Sequence, residues 1–323
     1  MKVLSLFWHS VEPDSINPEY LDGSNPTQSV FREQIEFIVD KFTPISIYDF
    51  MNISEHNRLL KSYAKPPVLL GFDDGFKNVI NCALPILQEF RVPALFFVIG
   101  EILINSDFVP WYVEMKHLIR STKKKNVVFK DISVDINSKQ GRGELAHYFY
   151  RSYRDCKVEE DRQRLLISFA GSLNVDRPTN ASMLDDDLQF VSKQELSDLD
   201  SASLLTVVSH AMTHQFLASL TFEEQTYELE QSNLLLSKYC PSYYPVISYP
   251  GGSFNKDTLN IAKHIYKFGF ATFPGSSYNN FYAYPRTGIK YDTVKELNYI
   301  LSPLRLNLLL PIKQVLHKIG LRE

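Results

Sequence analysis

The sequence predicts an α/β protein built on a parallel sheet, and three observations support this prediction. Short apolar runs alternate with segments of helical spacing along most of the 323 residues. Two of these runs end in clusters of acidic or histidine side chains, and a third ends in a Pro-Gly-Gly turn. Polar groups that follow buried parallel strands collect at the carboxyl edge of the sheet, where such folds place their functional sites.

The expected elements follow in chain order. The first half should contain strands at 2–8, 44–48, 68–72 and 94–99, a helix over 31–42 capped by Thr27 or Ser29, and a helix over 79–90. The core resumes with strands at 204–208, 244–249, 270–273 and 285–289 and helices at 255–268 and 293–301. Thr221 and Glu224 form a capping-box pattern that opens a helix ending at Tyr239.

Residues 101–200 interrupt this alternation with weaker apolar spacing and a higher charge density. Helices are expected at about 111–120, 144–153 and 159–173, with a hairpin at 127–136. We interpret this region as a mostly helical insertion within one barrel domain that spans 1–303. Residues 304–323 form a basic amphipathic tail, which could lie on a membrane surface or pack as a terminal helix on the barrel.

The composition is that of a globular protein with a sizeable core. Hydrophobic residues make up 44% of the chain, and a chain of this length buries roughly three quarters of its unfolded surface. The net charge is −3 and the longest basic run is Lys123-Lys124-Lys125, so nothing indicates nucleic-acid binding. The three cysteines lie far apart, so they predict neither a disulfide framework nor a Cys-x-x-Cys metal site.

The first residues predict a cytoplasmic location. The apolar run at 1–8 is too short for a signal-peptide core and has no cleavage site after it. No apolar stretch approaches the ~20 residues that a membrane-spanning helix needs. The tail leaves open a peripheral membrane association.

Two adjacent carboxylates, Asp73 and Asp74, follow the strand at 68–72. Neighbouring carboxylates repel each other, and a metal ion bound by one of them would explain their presence. His210 and His214 follow the strand at 204–208. Two imidazoles and a carboxylate form a zinc ligand set with one open position, and a second carboxylate could take a proton from activated water. Either motif alone could be incidental, whereas both at strand ends indicate a site.

The third motif is the turn Ser248-Tyr249-Pro250-Gly251-Gly252-Ser253. Its glycines expose backbone N–H groups that could donate to an oxyanion. We expect Tyr249, Pro250 and Gly252 to contact substrate. The alternative is a plain turn.

The order Asp-Asp-Gly, Ser-His-x-x-x-His and Tyr-Pro-x-Gly resembles the polysaccharide deacetylase family, carbohydrate esterase family four. The resemblance covers roughly 1–100 and 200–300. Residues 4–11 are similar to the Tyr-His-x-Val opening of one branch, and 93–98 to its Pro-Ala-x-Phe-Phe strand. The resemblance implies a distorted (β/α) barrel, a divalent metal ion, and hydrolysis of the N-acetyl group of an amino sugar.

The resemblance also implies roles for the motif residues. Asp73 matches the general base, and the metal ligands match Asp74, His210 and His214. The N–H of Gly251 matches the oxyanion donor. In the implied mechanism, metal-activated water loses a proton to Asp73 and attacks the acetamide carbonyl. Zn²⁺ is the expected ion, with Co²⁺, Ni²⁺ or Mn²⁺ as alternatives.

The chain departs from the family pattern at several positions. Ser248 stands where the family often has the Arg that tethers the base, and Gly251 where it often has an aromatic residue. Arg286 could reach Asp73 from a later strand, or it could be a surface residue in a turn. No clear Leu-x-His motif for the general acid is found near 290–305. His317 is close to this pattern, but it lies in the basic tail. His9, at the end of the first strand, is the preferred candidate, with an ordinary loop histidine as the alternative.

Trp8 and Trp111 are the two tryptophans of the chain. Trp8 is expected to pack in the core, whereas Trp111 could either stack on a sugar or pack in the insertion. The predicted function is therefore metal-dependent N-deacetylation of an N-acetylated saccharide in a glycan or a glycan precursor. The alternatives are a sugar-binding relative with impaired catalysis, and an O-acetyl esterase or amidase of the same fold.

Overall fold

In the part of the chain that the structure describes, nine parallel strands form a central sheet that curls into a nearly closed barrel. The computed structural model describes residues 3–16, 25–200, 202–272, 280–289 and 293–302. In chain order the strands are β1 (Leu4–Trp8), β2 (Thr43–Pro44), β3 (Pro67–Phe72), β4 (Ala94–Val98), β5 (Asn126–Phe129), β6 (Ile132–Asp135), β7 (Leu205–Ser209), β8 (Val246–Ser248), β9 (Phe268–Ala271), β10 (Tyr284–Pro285) and β11 (Thr287–Gly288). The helices are α1 (Gln28–Lys41), α2 (Ile47–Glu55), α3 (Leu84–Phe90), α4 (Trp111–Ser121), α5 (Lys139–Asp155), α6 (Glu159–Leu173), α7 (Lys193–Ser197), α8 (Phe222–Tyr239), α9 (Lys256–Ile265) and α10 (Val294–Ile300).

The barrel strands follow the order β10-β9-β8-β7-β4-β3-β1-β11, with β2 paired to β3. β10 pairs with β9 at one end of this order, and β11 pairs with β1 at the other. Only Arg286 separates β10 from β11 in the chain. The chain therefore steps from one edge of the sheet to the other within one residue, and Arg286 lies where the barrel closes.

The strands are buried on both faces, as expected for a parallel sheet covered by helices. Every residue of β1, β3 and β4 is buried. Leu70 and Phe96 pack outward in a cluster with side chains of α1 and α3. Leu69, Leu95 and Phe97 belong to a second cluster, which fills the interior together with side chains of α2.

Neighbouring strands end at the same level, and this brings their following residues together. The N–H of Asp73 donates to the carbonyl of Trp8 at 2.8 Å, which ties the end of β3 to the end of β1. The N–H of His210 donates to the carbonyl of Val98 at 2.9 Å, which ties the end of β7 to that of β4. The acidic and histidine motifs therefore lie on one edge of the barrel, as the sequence predicts.

The region between β4 and β7 has the helices and the hairpin that the sequence predicts. It contains α4, the antiparallel pair β5–β6, and α5 to α7. Much of it surrounds an apolar cluster of its own that includes Leu145, Phe149 and Phe169. The predicted capping box also forms, because Thr221 accepts from the N–H of Glu224 and Glu224 accepts from that of Thr221.

The predicted strand at 44–48 is wrong beyond its first residue. β2 ends at Pro44, and α2 starts at Ile47 because Ser46 and Asp49 form a capping box. The local capping interactions outweigh the β-branched side chains of this segment.

Within the described residues, no helix is both long and apolar enough to cross a membrane. The predicted tail, 304–323, lies outside the described residues.

Candidate functional site

Asp74, His210 and His214 converge at the carboxyl edge of the barrel. The Nε2 atoms of both histidines lie 3.3 Å from Oδ1 of Asp74. All three residues are buried, and their ligand atoms lie within 4.8 Å of one another. Burial raises the pKa of Asp74, but the contacts with the two histidines outweigh it and hold that pKa well below its ordinary value.

The arrangement fits a divalent metal ion. Oδ1 of Asp74 is buried and makes no well-formed hydrogen bond among the described residues. Ligand atoms 2.0–2.1 Å from a tetrahedral zinc ion are separated by about 3.3 Å, which matches the observed spacing of Asp74 from each histidine. Two imidazoles and one carboxylate leave a fourth position open.

His210 is held in the tautomer that metal binding needs. Its Nδ1 lies 2.9 Å from the carbonyl oxygen of Ser248, which can only accept a hydrogen bond. Nδ1 therefore carries the proton, and the Nε2 that faces Asp74 has a free lone pair. His214 is oriented differently, since its ring packs against that of Tyr112 with centroids 4.5 Å apart.

The loop that carries His214 has a strained backbone. Ala211 and His214 both have a φ of 62°, in the left-handed region that non-glycine residues rarely adopt. Glu228 of α8 stabilises this loop by accepting from the N–H groups of Met212 and Thr213 at 2.9 Å, and from the hydroxyl of Thr213. A buried carboxylate on a neighbouring helix thus helps to hold the loop of His214, a candidate metal ligand.

Asp73 points to a different partner from that of Asp74. Both of its oxygens accept from Arg286, with Nη1 at 2.7 Å from Oδ1 and Nη2 at 2.8 Å from Oδ2. Burial raises the pKa of Asp73, but the charge of the guanidinium outweighs it and lowers the pKa below its ordinary value. Asp73 is therefore ionised at neutral pH. The expected contact between Arg286 and Asp73 is present, and the surface alternative for Arg286 is wrong because only 1% of the residue is exposed.

Aromatic rings enclose the guanidinium of Arg286 inside the barrel. Its Cζ lies 4.2 Å from the ring centroid of Phe7 and 4.6 Å from that of Phe97. The ring faces attract the cation and exclude water, which strengthens the pair with Asp73. Arg286 also donates to the hydroxyl of Ser248, the residue at the position where the sequence resemblance implies an arginine.

The turn after β8 partly departs from the prediction. Tyr249 is fully buried and its hydroxyl donates to the carbonyl of Tyr282 at 2.7 Å, so it offers no surface to a substrate. Pro250 is buried as well, and the N–H of Gly252 is bonded to the carbonyl of Tyr249. These three residues support the turn and are not placed to contact a substrate.

Gly251 is the exposed residue of this turn, with a φ of 57°. A Cβ at this position would lie 2.5 Å from the ring of Phe216 and 3.1 Å from the hydroxyl of Tyr150. Phe216 thus occupies the space into which an aromatic residue at position 251 would extend. This explains why glycine stands here, and its N–H remains the predicted oxyanion donor.

His9 lies at the same edge as the two carboxylates. It is half-buried, its ring lies 5.6 Å from that of Phe7, and it is close enough for its charge to lower the pKa of Asp73 and Asp74. Its role as general acid stays a prediction.

For Trp111, the packing alternative is the one that the structure shows. Its ring is 5% exposed and stacks on Tyr153 with centroids 4.2 Å apart. Its Nε1 donates to the carbonyl of His214 at 3.4 Å, so the residue supports the loop that carries His214.

Two residues of the site were not expected from the sequence. Tyr112, from the insertion, places a buried hydroxyl near Asp74 that makes no well-formed hydrogen bond among the described residues. Burial and the charge of Asp74 raise its pKa well above the ordinary value, so it is protonated at neutral pH. The second residue is Glu228. The sequence signal for it was a carboxylate beside Leu229, on the face of α8 that is buried.

The fold and the site define a hydrolase barrel in which a carboxylate–histidine group that could bind a metal ion lies beside an arginine-bound carboxylate. The family model for polysaccharide deacetylase matches residues 61–138 and 169–267. The chain belongs to the polysaccharide deacetylase family, which confirms both the predicted family and the predicted enzyme class, a carbohydrate deacetylase.

A named relative is consistent with this assignment. Over 98 residues the chain is 30% identical to the poly-β-1,6-N-acetyl-D-glucosamine N-deacetylase of Escherichia coli, a match that covers 30% of this chain and 14% of that protein.

The fold resembles that of the Streptococcus pyogenes deacetylase PplD, solved in complex with acetate, with a TM-score of 0.60, 18% identity, and coverage of 94% of this chain and 99% of that one. It also resembles IcaB from Ammonifex degensii, with a TM-score of 0.55, 13% identity, and coverage of 89% and 91%. At these identities the structural likeness shows the fold alone.

Proposed function

We propose that the protein is a divalent-metal-dependent N-deacetylase that removes the N-acetyl group from an amino sugar of a glycan or glycan precursor. One observation supports this most directly, namely the separate partners of two adjacent buried carboxylates. Asp74 faces the two histidines, whereas Asp73 is bound by Arg286. One carboxylate is thus placed for a metal ion and the other for a proton.

The residues of the site have distinct roles in this reaction. The ion held by Asp74, His210 and His214 would polarise the acetamide carbonyl and lower the pKa of water. Asp73 accepts a proton from the attacking water, and Arg286 keeps it ionised and oriented. The N–H of Gly251 donates to the oxyanion, and His9 donates a proton to the leaving amine.

Zinc is the proposed ion. Two imidazoles and a carboxylate with an open fourth position are the donor set of catalytic zinc sites. Imidazole also suits cobalt and nickel, and carboxylate suits manganese, so metal analysis of the purified protein decides among them.

The proposed substrate is a saccharide that contains N-acetylglucosamine. The support is the sequence match to a deacetylase named for poly-β-1,6-N-acetyl-D-glucosamine. A precursor attached to a nucleotide or a lipid would suit the cytoplasmic location that the sequence predicts. A liposome flotation assay that compares the full chain with a 1–303 truncation tests the membrane role of the tail, and equal partitioning would remove it.

Acetate release from a panel of N-acetylated sugars, combined with metal analysis, tests the proposed function. The wild-type protein should release acetate. Asp73→Asn should retain the metal and lose turnover, whereas Asp74→Asn should lose both.

Two results would replace the proposal with one of its alternatives. A metal-loaded protein that releases nothing from any substrate would be a sugar-binding relative with impaired catalysis. Release from O-acetylated but not from N-acetylated sugars would make it an O-acetyl esterase.

A further inference from the structure

We propose that a cavity between the insertion and the barrel is a second saccharide-binding site, which takes a sugar unit with a free amine. The cavity has a volume of about 630 Å³ and lies between α4, α6 and α8. Ligand sites typically have volumes of roughly 300–1,000 Å³. The expectation of an amino sugar rests on the proposed function, whereas the cavity and its chemistry do not.

The cavity is separate from the metal group but adjoins it. Thr213 and Gln215 belong to its wall, whereas His214 between them does not. Trp111 also lines the cavity, and its Nε1 donates to the carbonyl of His214. A ligand here would lie beside the loop that carries His214 but outside the group formed by Asp74, His210 and His214.

Arg162 is a nearly buried cation in the wall of the cavity. The residue is 3% exposed and lies in the cavity lining. Its Nη2 donates to the hydroxyl of Ser219 at 3.0 Å and to the carbonyl of Cys156 at 3.4 Å, but its Nε has no hydrogen-bond partner among the described residues. The guanidinium is held by these contacts, so Arg162 forms a fixed part of the cavity wall.

The rest of the lining suits the two kinds of surface on a pyranose ring. Tyr227 of α8 is 54% exposed and offers an aromatic ring against which the C–H groups of a sugar can pack. Glutamate and glutamine side chains elsewhere in the wall can accept hydrogen bonds from neighbouring hydroxyls. The lining thus offers contacts to both the apolar face and the polar edge of a sugar ring.

The charge of the lining selects the form of the sugar. Five glutamates and two arginines give an excess of three negative charges. Arg177 pairs with Glu114, and Arg162 contacts Glu159, so both arginines are already matched to a carboxylate. The excess disfavours an anionic ligand and favours an ammonium group, which a sugar gains when its N-acetyl group is removed. Glu223, in the exposed first turn of α8, is the carboxylate that we assign to this amine.

The test measures binding by isothermal titration calorimetry in metal-loaded Asp73→Asn protein, which prevents turnover. The probes are a β-1,6-linked glucosamine trisaccharide and its fully N-acetylated counterpart. We expect the amine form to bind about five-fold more tightly. In the same background, Tyr227→Ala should weaken this binding about ten-fold, and Glu223→Gln should reduce the preference for the amine. Tyr48→Ala, at an equally exposed tyrosine outside the cavity lining, should have no effect.

Three results would overturn the inference: no binding of the amine form, equal binding of the two trisaccharides, or wild-type affinity in Tyr227→Ala. The outcome for the proposed function is separate. Binding that depends on Tyr227 in a protein whose wild type releases no acetate would leave this site standing and remove the deacetylase proposal. Acetate release without such binding would do the reverse.

Discussion

Arg286 and Asp73 form a two-point ion pair inside the barrel although 213 positions separate them in the chain. Neither side chain is more than 2% exposed, so water cannot solvate one charge when the other is lost. Removal of one partner of such a pair leaves an uncompensated buried charge. The contact therefore matters both for the stability of the fold and for the ionisation of the proposed base.

Arg286→Met should lower kcat about 100-fold while the metal content is unchanged, because Asp73 loses the group that orients it. Arg286→Lys keeps the positive charge but not the two-point geometry, so its kcat should lie between those of the wild type and Arg286→Met. Acetate release and elemental analysis provide the measurements. Arg32→Met is the control, since Arg32 pairs with Glu89 on the surface. Wild-type turnover in Arg286→Met would show that Asp73 needs no tether.

Glu228 should make the folded state less stable as the pH rises through the weakly acidic range. Burial raises its pKa above the ordinary value, despite the hydrogen bonds from the loop. The folded state then binds this proton more tightly than the unfolded state. Stability is lost as the pH rises from the ordinary carboxyl pKa of about 4.3 through the raised one.

Glu228→Gln cannot ionise, so this decrease in the free energy of unfolding should be absent from the variant. Urea denaturation at a series of pH values measures it. The control is Glu230→Gln, at an exposed position on the same helix. If Glu228→Gln and the wild type lost stability in parallel, burial of Glu228 would not be the cause.

Tyr112→Phe should reduce kcat about ten-fold with little change in metal content or melting temperature. The substitution retains the ring that packs on His214 and removes only a buried hydroxyl, which is placed to donate within the site. One hydrogen bond to a charged group is worth about 1.5–3 kcal/mol, which corresponds to a ten-fold or larger effect. Tyr148→Phe, which removes a hydroxyl bound to Asp131 on the surface of the insertion, should be neutral. Equal kcat values for Tyr112→Phe and the wild type would reduce Tyr112 to a packing role.

His9→Ala should remove the alkaline limb of the pH–rate profile that belongs to the leaving-group acid. A general acid works in its protonated form, so activity falls as the pH rises through its pKa. The exposed residue His264 supplies the control variant, His264→Ala. A wild-type alkaline limb in His9→Ala would exclude His9 from this role.

Sequence patterns were sufficient to place the residues that follow strands directly. The side chains at the ends of β3 and β7 lie at the same edge because the strands are parallel, and parallel strands share one carboxyl edge. The position of Arg286 could be predicted in outline for the same reason. The helices and hairpin of the insertion were also predictable from apolar spacing.

Contacts that depend on how two elements pack were not predictable in this way. Tyr112 and Glu228 reach the site from an inserted helix and from α8, and no spacing in the sequence fixes their direction. Tyr249 was predicted to contact substrate, and this prediction is wrong. It follows a strand, but its side chain turns into the core toward Tyr282 rather than outward to a substrate.

The closure of the barrel at Arg286 has a consequence for synthesis of the chain. A nascent polypeptide that ends before this residue already contains Asp73 and every proposed metal ligand, but it has neither β11 nor the partner of the base. During translation the proposed metal ligands thus emerge from the ribosome before the residue that pairs with Asp73. Closure of the barrel and pairing of the proposed base therefore both depend on the same late segment of the chain, residues 284–288.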